Sequence, residues 1–243
     1  MQGIADRLEQ RLRTVADPER AEGEKRDLKS DLEFLGATMR QMRGAVRETA
    51  STRRTMTHDE LVALADAMWP VPMLERRMAA ILLLDRFAGL LSVADVPLVE
   101  RLARESKTWA LVDPLAADVL GGLVGRDPDD MTPILDRWAS DGDLWIRRCS
   151  LLAELRPIRA GASLDRFLRR ADAMLEEGEF FIRKAIGWVL RGAGKRRPDE
   201  VVGWLEPRIR RASGVTMREA VKYLPATDQE RLMAAYREER PAV

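Results

Sequence analysis

The segment Ser106-Lys-Thr-Trp-Ala-Leu-Val-Asp-Pro-Leu115 sets a carboxylate beside an indole. Trp109 and Asp113 are four residues apart, which makes them neighbours on one helical face. The rest of that face is apolar, and burying an unpaired carboxylate there is costly. An ordinary helix carboxylate with a nearby cation satisfies this spacing, and spacing alone favours that reading. The sharper reading is electrostatic: a fixed carboxylate can stabilise positive charge that develops during a reaction.

Two later segments carry similar residue types. In Asp143-Leu-Trp-Ile-Arg-Arg148, either arginine can approach the Trp109/Asp113 helix if successive repeats stack, leaving the other for solvent or a phosphate. In Glu179-Phe-Phe-Ile-Arg-Lys-Ala-Ile-Gly-Trp-Val-Leu-Arg191, Phe181 and Trp188 are seven apart, as are Lys184 and Arg191. Aromatic and basic residues therefore form adjacent stripes, the pairing that nucleic-acid backbones and cationic bases favour. Gly187 costs about 1 kcal/mol relative to alanine inside a helix, which implies close approach of another backbone or a ligand. A tryptophan taken singly is more often core than site, and Trp69, Trp138 and Trp204 are assigned to packing.

The chain has one cysteine, Cys149, and one histidine, His58. An internal disulfide is impossible and a zinc site of the Cys/His type is nearly so, so hydrolytic chemistry must rest on carboxylates, hydroxyls, lysines or aromatics. No metal and no cofactor are expected. Cys149 reads as a small core residue, and His58, after Thr57 at a helix start, as solvated. With 46% hydrophobic and 33% charged residues the composition is that of a globular protein. The longest apolar run, Met78–Leu84, is far short of a membrane span, and charges near Met1 leave no signal-peptide core, so a cytoplasmic protein is expected. Net charge is only +1, but residues 183–222 carry eleven Lys/Arg against four Asp/Glu, a net +7 that leaves −6 on the remainder. That asymmetry suggests a surface facing a polyanion, and a solvated basic face with no partner is the bland alternative.

Stacked short helices would position these groups. Helical periodicity recurs nearly everywhere, strand-like alternation does not, and breakers such as Asp17-Pro18, Trp69-Pro70, Asp127-Pro128 and Arg197-Pro198 come at short intervals. The spacing predicts helices over 71–90, 109–124, 144–155, 180–192 and 200–212. Trp109, Trp145 and Phe181 lie 36 residues apart, Trp145-Ile-Arg-Arg148 aligns with Phe181-Ile-Arg-Lys184 at that step, and Leu74-Glu-Arg-Arg77 falls 71 residues before the former, close to two steps. Periods of this size mark helical solenoids, and without the tetratricopeptide pattern the HEAT-like type is preferred. The expectation is a single all-α domain over residues 1–243, a HEAT-like repeat α-solenoid with a concave, basic, DNA-binding face.

The run Glu179–Arg191 closely resembles the signature of the AlkD-like DNA alkylation repair glycosylases. So do Ser106-Lys107 with Trp109 and Asp113, Ser140-Asp-Gly-Asp-Leu-Trp145 with Arg148, Arg218-Glu-Ala-Val-Lys222, and Phe34-Leu-Gly36, in order from about residue 20 to residue 225. The resemblance implies a DNA glycosylase that excises positively charged N3- and N7-alkylated purines from duplex DNA, as a monomer, without metal and without a base-flipping pocket. It places Asp113 at the glycosidic bond, Trp109 and Trp188 beside the lesion nucleotide, and Arg148 on DNA. Lys184, Arg191 and Arg43 are expected on phosphates. Three positions depart from the family pattern: Asp27 stands in place of a tyrosine, Thr108 in place of a tryptophan, and Ala37 in place of a proline. A non-catalytic HEAT-repeat protein that binds damaged or structured DNA is the alternative, and a protein–protein scaffold leaves the basic C-terminal third unexplained.

Overall fold

The computed structural model describes residues 1–53 and 55–239, and every regular element among them is helical apart from one isolated bridge between Glu33 and Met73. Packing gathers the chain into two compact units, Met1–Val119 and Leu120–Val243. Nothing in composition marks that division, which falls in an apolar helical stretch.

The first unit contains α1 (Gln2–Arg13), α2 (Pro18–Leu28), α3 (Met39–Ser51), α4 (His58–Met68), α5 (Leu74–Arg86), α6 (Val96–Ser106) and α7 (Trp109–Pro114). Their starts are chemically specified. Asp17 accepts from the Arg20 N–H with Pro18 in the first turn, and Thr38 with Gln41 and Thr57 with Glu60 form reciprocal capping boxes. The apolar stripes meet in a core that includes Leu8, Leu12, Leu61, Leu64, Ile81 and Leu84, all fully or almost fully buried.

A buried carboxylate ties the start of α5 to the loop before α3. Glu75 is inaccessible to solvent and accepts from the backbone N–H groups of Leu35 (3.0 Å), Gly36 (2.7 Å) and Ala37 (3.2 Å). Burial pushes its carboxyl above the usual range, and the three N–H donors pull it back only in part. Gly36 makes this possible: its φ is +77°, and a Cβ there would lie 2.1 Å from the Asp17 carbonyl oxygen. The next two residues of Leu74-Glu-Arg-Arg77 hold helix ends. Arg76 donates to the carbonyls of Ala67 (3.0 Å) and Met68 (3.2 Å), and Arg77 to those of Trp69 and Glu105 (both 3.0 Å).

The second unit contains α8 (Gly121–Arg126), α9 (Pro128–Trp138), α10 (Leu144–Leu152), α11 (Leu155–Arg159), α12 (Asp165–Ala173), α13 (Phe180–Gly194), α14 (Pro198–Leu205), α15 (Gly214–Ala220) and α16 (Ala226–Glu238). The repeat read from Trp145 and Phe181 is physical: their rings touch, with centroids 5.1 Å apart. Polar rungs recur at nearly the same interval. Arg170 meets Asp136 at 2.6 Å, 34 residues back; Arg208 meets Asp172 at 2.7 Å, 36 back; Lys184 meets Glu219 at 2.6 Å, 35 ahead. Helices this short cannot bury an apolar stripe alone, so each depends on its counterpart one repeat away. Gly187 shows how close the approach is: a Cβ there would lie 2.6 Å from the Glu219 Cβ and 2.8 Å from the Thr216 carbonyl oxygen, both of α15. The expected close approach is thus of a backbone.

Several helix boundaries differ from the spacing, three of them beside prolines. Val71 and Pro72 precede α5, because the chain is extended at Met73 before the helix begins. Pro114 has no N–H for the Ala110 carbonyl, and the turn that follows, Leu115–Leu120, is π-helical before α8 resumes. The helix expected over 200–212, α14, stops at Leu205, where Glu206-Pro207-Arg208 tightens into a 3₁₀ turn. Trp69, Trp138, Trp204 and Cys149 are buried, as packing requires. His58 is half exposed yet held, with Nε2 2.7 Å from Asp95 and Nδ1 2.9 Å from Asp59.

This packing can be tested at two glycines. Gly187→Ala should lower stability by about 1–3 kcal/mol through overpacking against α15. Gly203→Ala, in α14 with open space around it, should raise stability by up to about 1 kcal/mol, both read from urea midpoints. The carboxylates of Asp59 and Asp95 raise the His58 pKa above its ordinary 6.5. A histidine with a raised folded pKa stabilises the fold fully below its unfolded value and loses that contribution as pH rises through the folded one. Proton NMR of the only imidazole should give a midpoint above 6.5, and His58→Gln should cost stability near pH 6 but little at pH 9. A midpoint at or below 6.5 would contradict the ion pair.

Candidate functional site

The first unit presents the carboxylate and the indole from α7. Thr108 is the N-cap: it is 2% exposed and its hydroxyl accepts from the Ala110 N–H, which fixes the first turn. Trp109 follows in that turn and is 43% exposed, while Asp113, one turn on, is 9% exposed. Trp109 is one of three large aromatic side chains exposed among the described residues, with Phe180 and Tyr223. The repeat register sharpens the case for Asp113. One and two steps of 36 residues from it lie Cys149 and Ala185, both fully buried small residues, so the fold does not ask for a carboxylate at this position. The register likewise equates Trp109 with Trp145 and Phe181, which instead lie against each other.

Arg43 is exposed on α3, and its side chain has no hydrogen bond or ion pair with any described residue. Asp27, at the position where the family pattern has a tyrosine, is exposed on α2.

In the second unit Lys184, Trp188 and Arg191 all lie on α13, each partly exposed. What sequence reasoning missed is the group between the two cations. Glu219 of α15 is 3% exposed and takes ion pairs from Lys184 (2.6 Å), Lys222 (3.0 Å) and Arg191. Burial works to raise its pKa, but the cations prevail and hold it below the usual carboxylate range. One carboxylate facing three cations leaves net positive charge on this face, with the side chains of Lys184 and Lys222 41% and 49% exposed. Glu219 follows Lys184 by 35 residues, so the repeat step itself was the available signal. Arg191 also lines a small basic cleft with Arg159, Lys195, Arg196 and Tyr223, where the Lys195 ammonium sits 4.3 Å from the centre of the exposed Tyr223 ring.

Arg148 differs from expectation. It is 2% exposed, donates to the Phe181 carbonyl, and has its guanidinium 5.7 Å from the centre of the Phe181 ring. A phosphate contact needs an exposed donor, and the buried guanidinium of Arg148 does not offer one. Its role here is to join α10 to the start of α13, much as Arg77 reaches the Glu105 carbonyl in the first unit. Its neighbour Arg147 is also engaged, with Glu177 at 3.2 Å and the Asp141 carbonyl at 2.7 Å.

Comparison with known proteins agrees with this architecture. The fold is similar to a structure described as a predicted DNA alkylation repair enzyme from Enterococcus faecalis, with TM-score 0.78, 22% identity, and coverage of 87% of this chain and 97% of that one. It is also similar to AlkD2 from Streptococcus mutans, with TM-score 0.61, 17% identity, and coverage of 86% and 99%. The smu.31 structure from Streptococcus mutans UA159 gives TM-score 0.59, 16% identity, and coverage of 77% and 93%. No curated protein matches the chain significantly. The sequence pattern of the DNA alkylation repair enzymes matches residues 8–224, nearly the whole length over which the helices run. The chain belongs to the DNA alkylation repair enzyme family.

Proposed function

We propose that the protein is a DNA glycosylase that excises positively charged N3- and N7-alkylated purines from duplex DNA. The observation that supports this most directly is Asp113: a carboxylate 9% exposed, one turn from an exposed tryptophan, at a repeat position otherwise filled by Cys149 and Ala185. Alkylation at N3 or N7 gives the purine a full positive charge, which weakens the glycosidic bond without protonation by the protein. The remaining tasks are to stabilise the oxocarbenium-like sugar and to place a water. Asp113 does the first electrostatically, and comparable preorganised groups contribute ~10²–10³ in rate. Trp109 offers its indole face to the deoxyribose and its developing cation, worth about 0.5–2 kcal/mol.

The second unit supplies DNA contacts. Trp188, Lys184 and Arg191 on α13 are assigned to the DNA, and Arg43 of the first unit to another phosphate; such contacts set position without reading sequence. Arg148 acts from inside, holding the helix that carries Trp188. Because no residue is assigned to protonate a leaving base, neutral lesions such as hypoxanthine should be poor substrates. A mechanism that needs no closed base pocket also accepts bulky adducts, with the protein acting as a monomer in the cytoplasm.

The test separates catalysis from binding. Asp113→Asn keeps shape and removes charge that matters only as the glycosidic bond breaks. Single-turnover excision of N7-methylguanine from a duplex oligonucleotide, read by alkaline cleavage of the abasic product, should fall by about 10²-fold or more. Affinity for the same duplex should be unchanged or slightly improved. Wild-type excision by the asparagine variant would make the carboxylate structural and overturn the mechanism.

A further inference from the structure

Two clefts of the second unit are related by the repeat but differ in charge. The first lies beside the start of α10 and is lined by Arg147, Arg169 and Arg170 against Asp136, Asp141 and Glu177. The second lies beside the start of α13 and α15 and holds four arginines, Arg183, Arg210, Arg211 and Arg218, with Glu176 as its one carboxylate. A step of 36 residues turns one lining into the other: Arg147 becomes Arg183, Met174 becomes Arg210, and Glu177 becomes Ser213. The same architecture is charge-balanced in one repeat and strongly basic in the next, so the fold does not require the excess.

The pairing pattern shows which charges are uncompensated. Arg211 is satisfied by Glu176 at 2.7 Å and Asp172 at 2.8 Å, and Arg210 by Glu239 at 2.5 Å. In the balanced cleft Arg147 finds the Glu177 carboxylate at 3.2 Å. Its counterpart Arg183 finds only the Glu177 backbone carbonyl, which Nε reaches at 2.6 Å, and both terminal nitrogens of its fork make no hydrogen bond to any described residue. The residue standing where a carboxylate would be, Ser213, is neutral, and its hydroxyl already accepts from the Thr216 N–H at 3.1 Å to cap α15. Arg218 is exposed, and its side chain has no hydrogen bond or ion pair with any described residue. Two guanidinium groups in one cleft repel each other unless an anion lies with them, and a planar fork matches phosphate oxygens in bidentate fashion. The cleft, about 470 Å³, is far larger than one phosphate ion and open to a chain that continues past it.

We infer that this cleft is a phosphodiester-binding subsite, with Arg183 and Arg218 as its donors, that takes backbone phosphates of DNA apart from the residues assigned to base excision. The inference rests on DNA being the partner and is independent of whether a base is excised.

Fluorescence anisotropy with an undamaged duplex over a salt series reads the subsite directly. Arg183→Gln/Arg218→Gln should make the log–log salt dependence shallower by about 0.9 for each phosphate no longer neutralised, and weaken damaged and undamaged duplexes alike. Arg169→Gln, which removes one charge from the balanced cleft, should keep the wild-type slope. Ser213→Asp keeps a good capping acceptor and restores the missing negative charge, so it should weaken the duplex without loss of thermal stability. An unchanged slope in the double variant, or unchanged affinity in Ser213→Asp, overturns the subsite. Thermal shifts with inorganic phosphate against chloride at equal ionic strength separate the anion sources. Stabilisation of the wild type alone, together with an unaltered duplex slope in the double variant, assigns the cleft to free phosphate and overturns the DNA assignment. Parallel excision assays keep the two readings apart: a shallower slope with N7-methylguanine left intact preserves the subsite and sinks the glycosylase, and normal excision with an unchanged slope does the reverse.

Discussion

Helices of 5 to 15 residues in the second unit cannot bury their apolar stripes against themselves, so they rest on helices about one repeat away. The ring contact between Trp145 and Phe181 and the close approach of α15 to Gly187 are the tightest expressions of that dependence. Several of the buried charged side chains answer to it. Arg148 reaches the backbone of the next repeat, Glu219 draws in cations from α13, and Arg170 and Arg208 tie successive helices through Asp136 and Asp172. The first unit uses the same device at Glu75, whose carboxylate closes three N–H groups of the loop before α3.

This constraint divides the basic residues into two populations. Of the eleven cations between residues 183 and 222, Lys184, Arg191 and Lys222 are held by Glu219, and Arg208, Arg210 and Arg211 by Asp172, Glu176 and Glu239. Three of those carboxylates lie outside the segment. A count along the chain therefore overstates the surface charge, because it cannot see partners one repeat away. Arg197 lies near Glu200, and Arg183, Lys195, Arg196 and Arg218 meet no carboxylate of a described residue; of these four, Arg183 and Arg218 share one cleft.

The helical class, the period and the packing of Trp69, Trp138, Trp204 and Cys149 were legible in the sequence, because apolar spacing and proline placement act locally. The proximity of Trp109 and Asp113 was legible for the same reason. Arg148 was not, since Trp145-Ile-Arg-Arg148 reads identically whether the second arginine points to solvent or to the Phe181 carbonyl. Glu75 and Glu219 were missed because a buried carboxylate is defined by its donors, which lie 35 to 40 residues away for the Leu35 N–H and Lys184. The boundary differences at Val71, Pro114 and Glu206 each lie at or directly beside a proline: Pro72, Pro114 and Pro207.

The rungs of the second unit also set how it yields under load. Each joins residues 34 to 36 apart, so a displacement of α15 is felt first by α13, and by α12 or α10 only through the next tie. Elasticity in such a ladder is distributed: many small slips add along its length while no single joint has to open. A stiff rod pressed against it would be followed closely by local give at each step, much as a leaf spring follows a curved support.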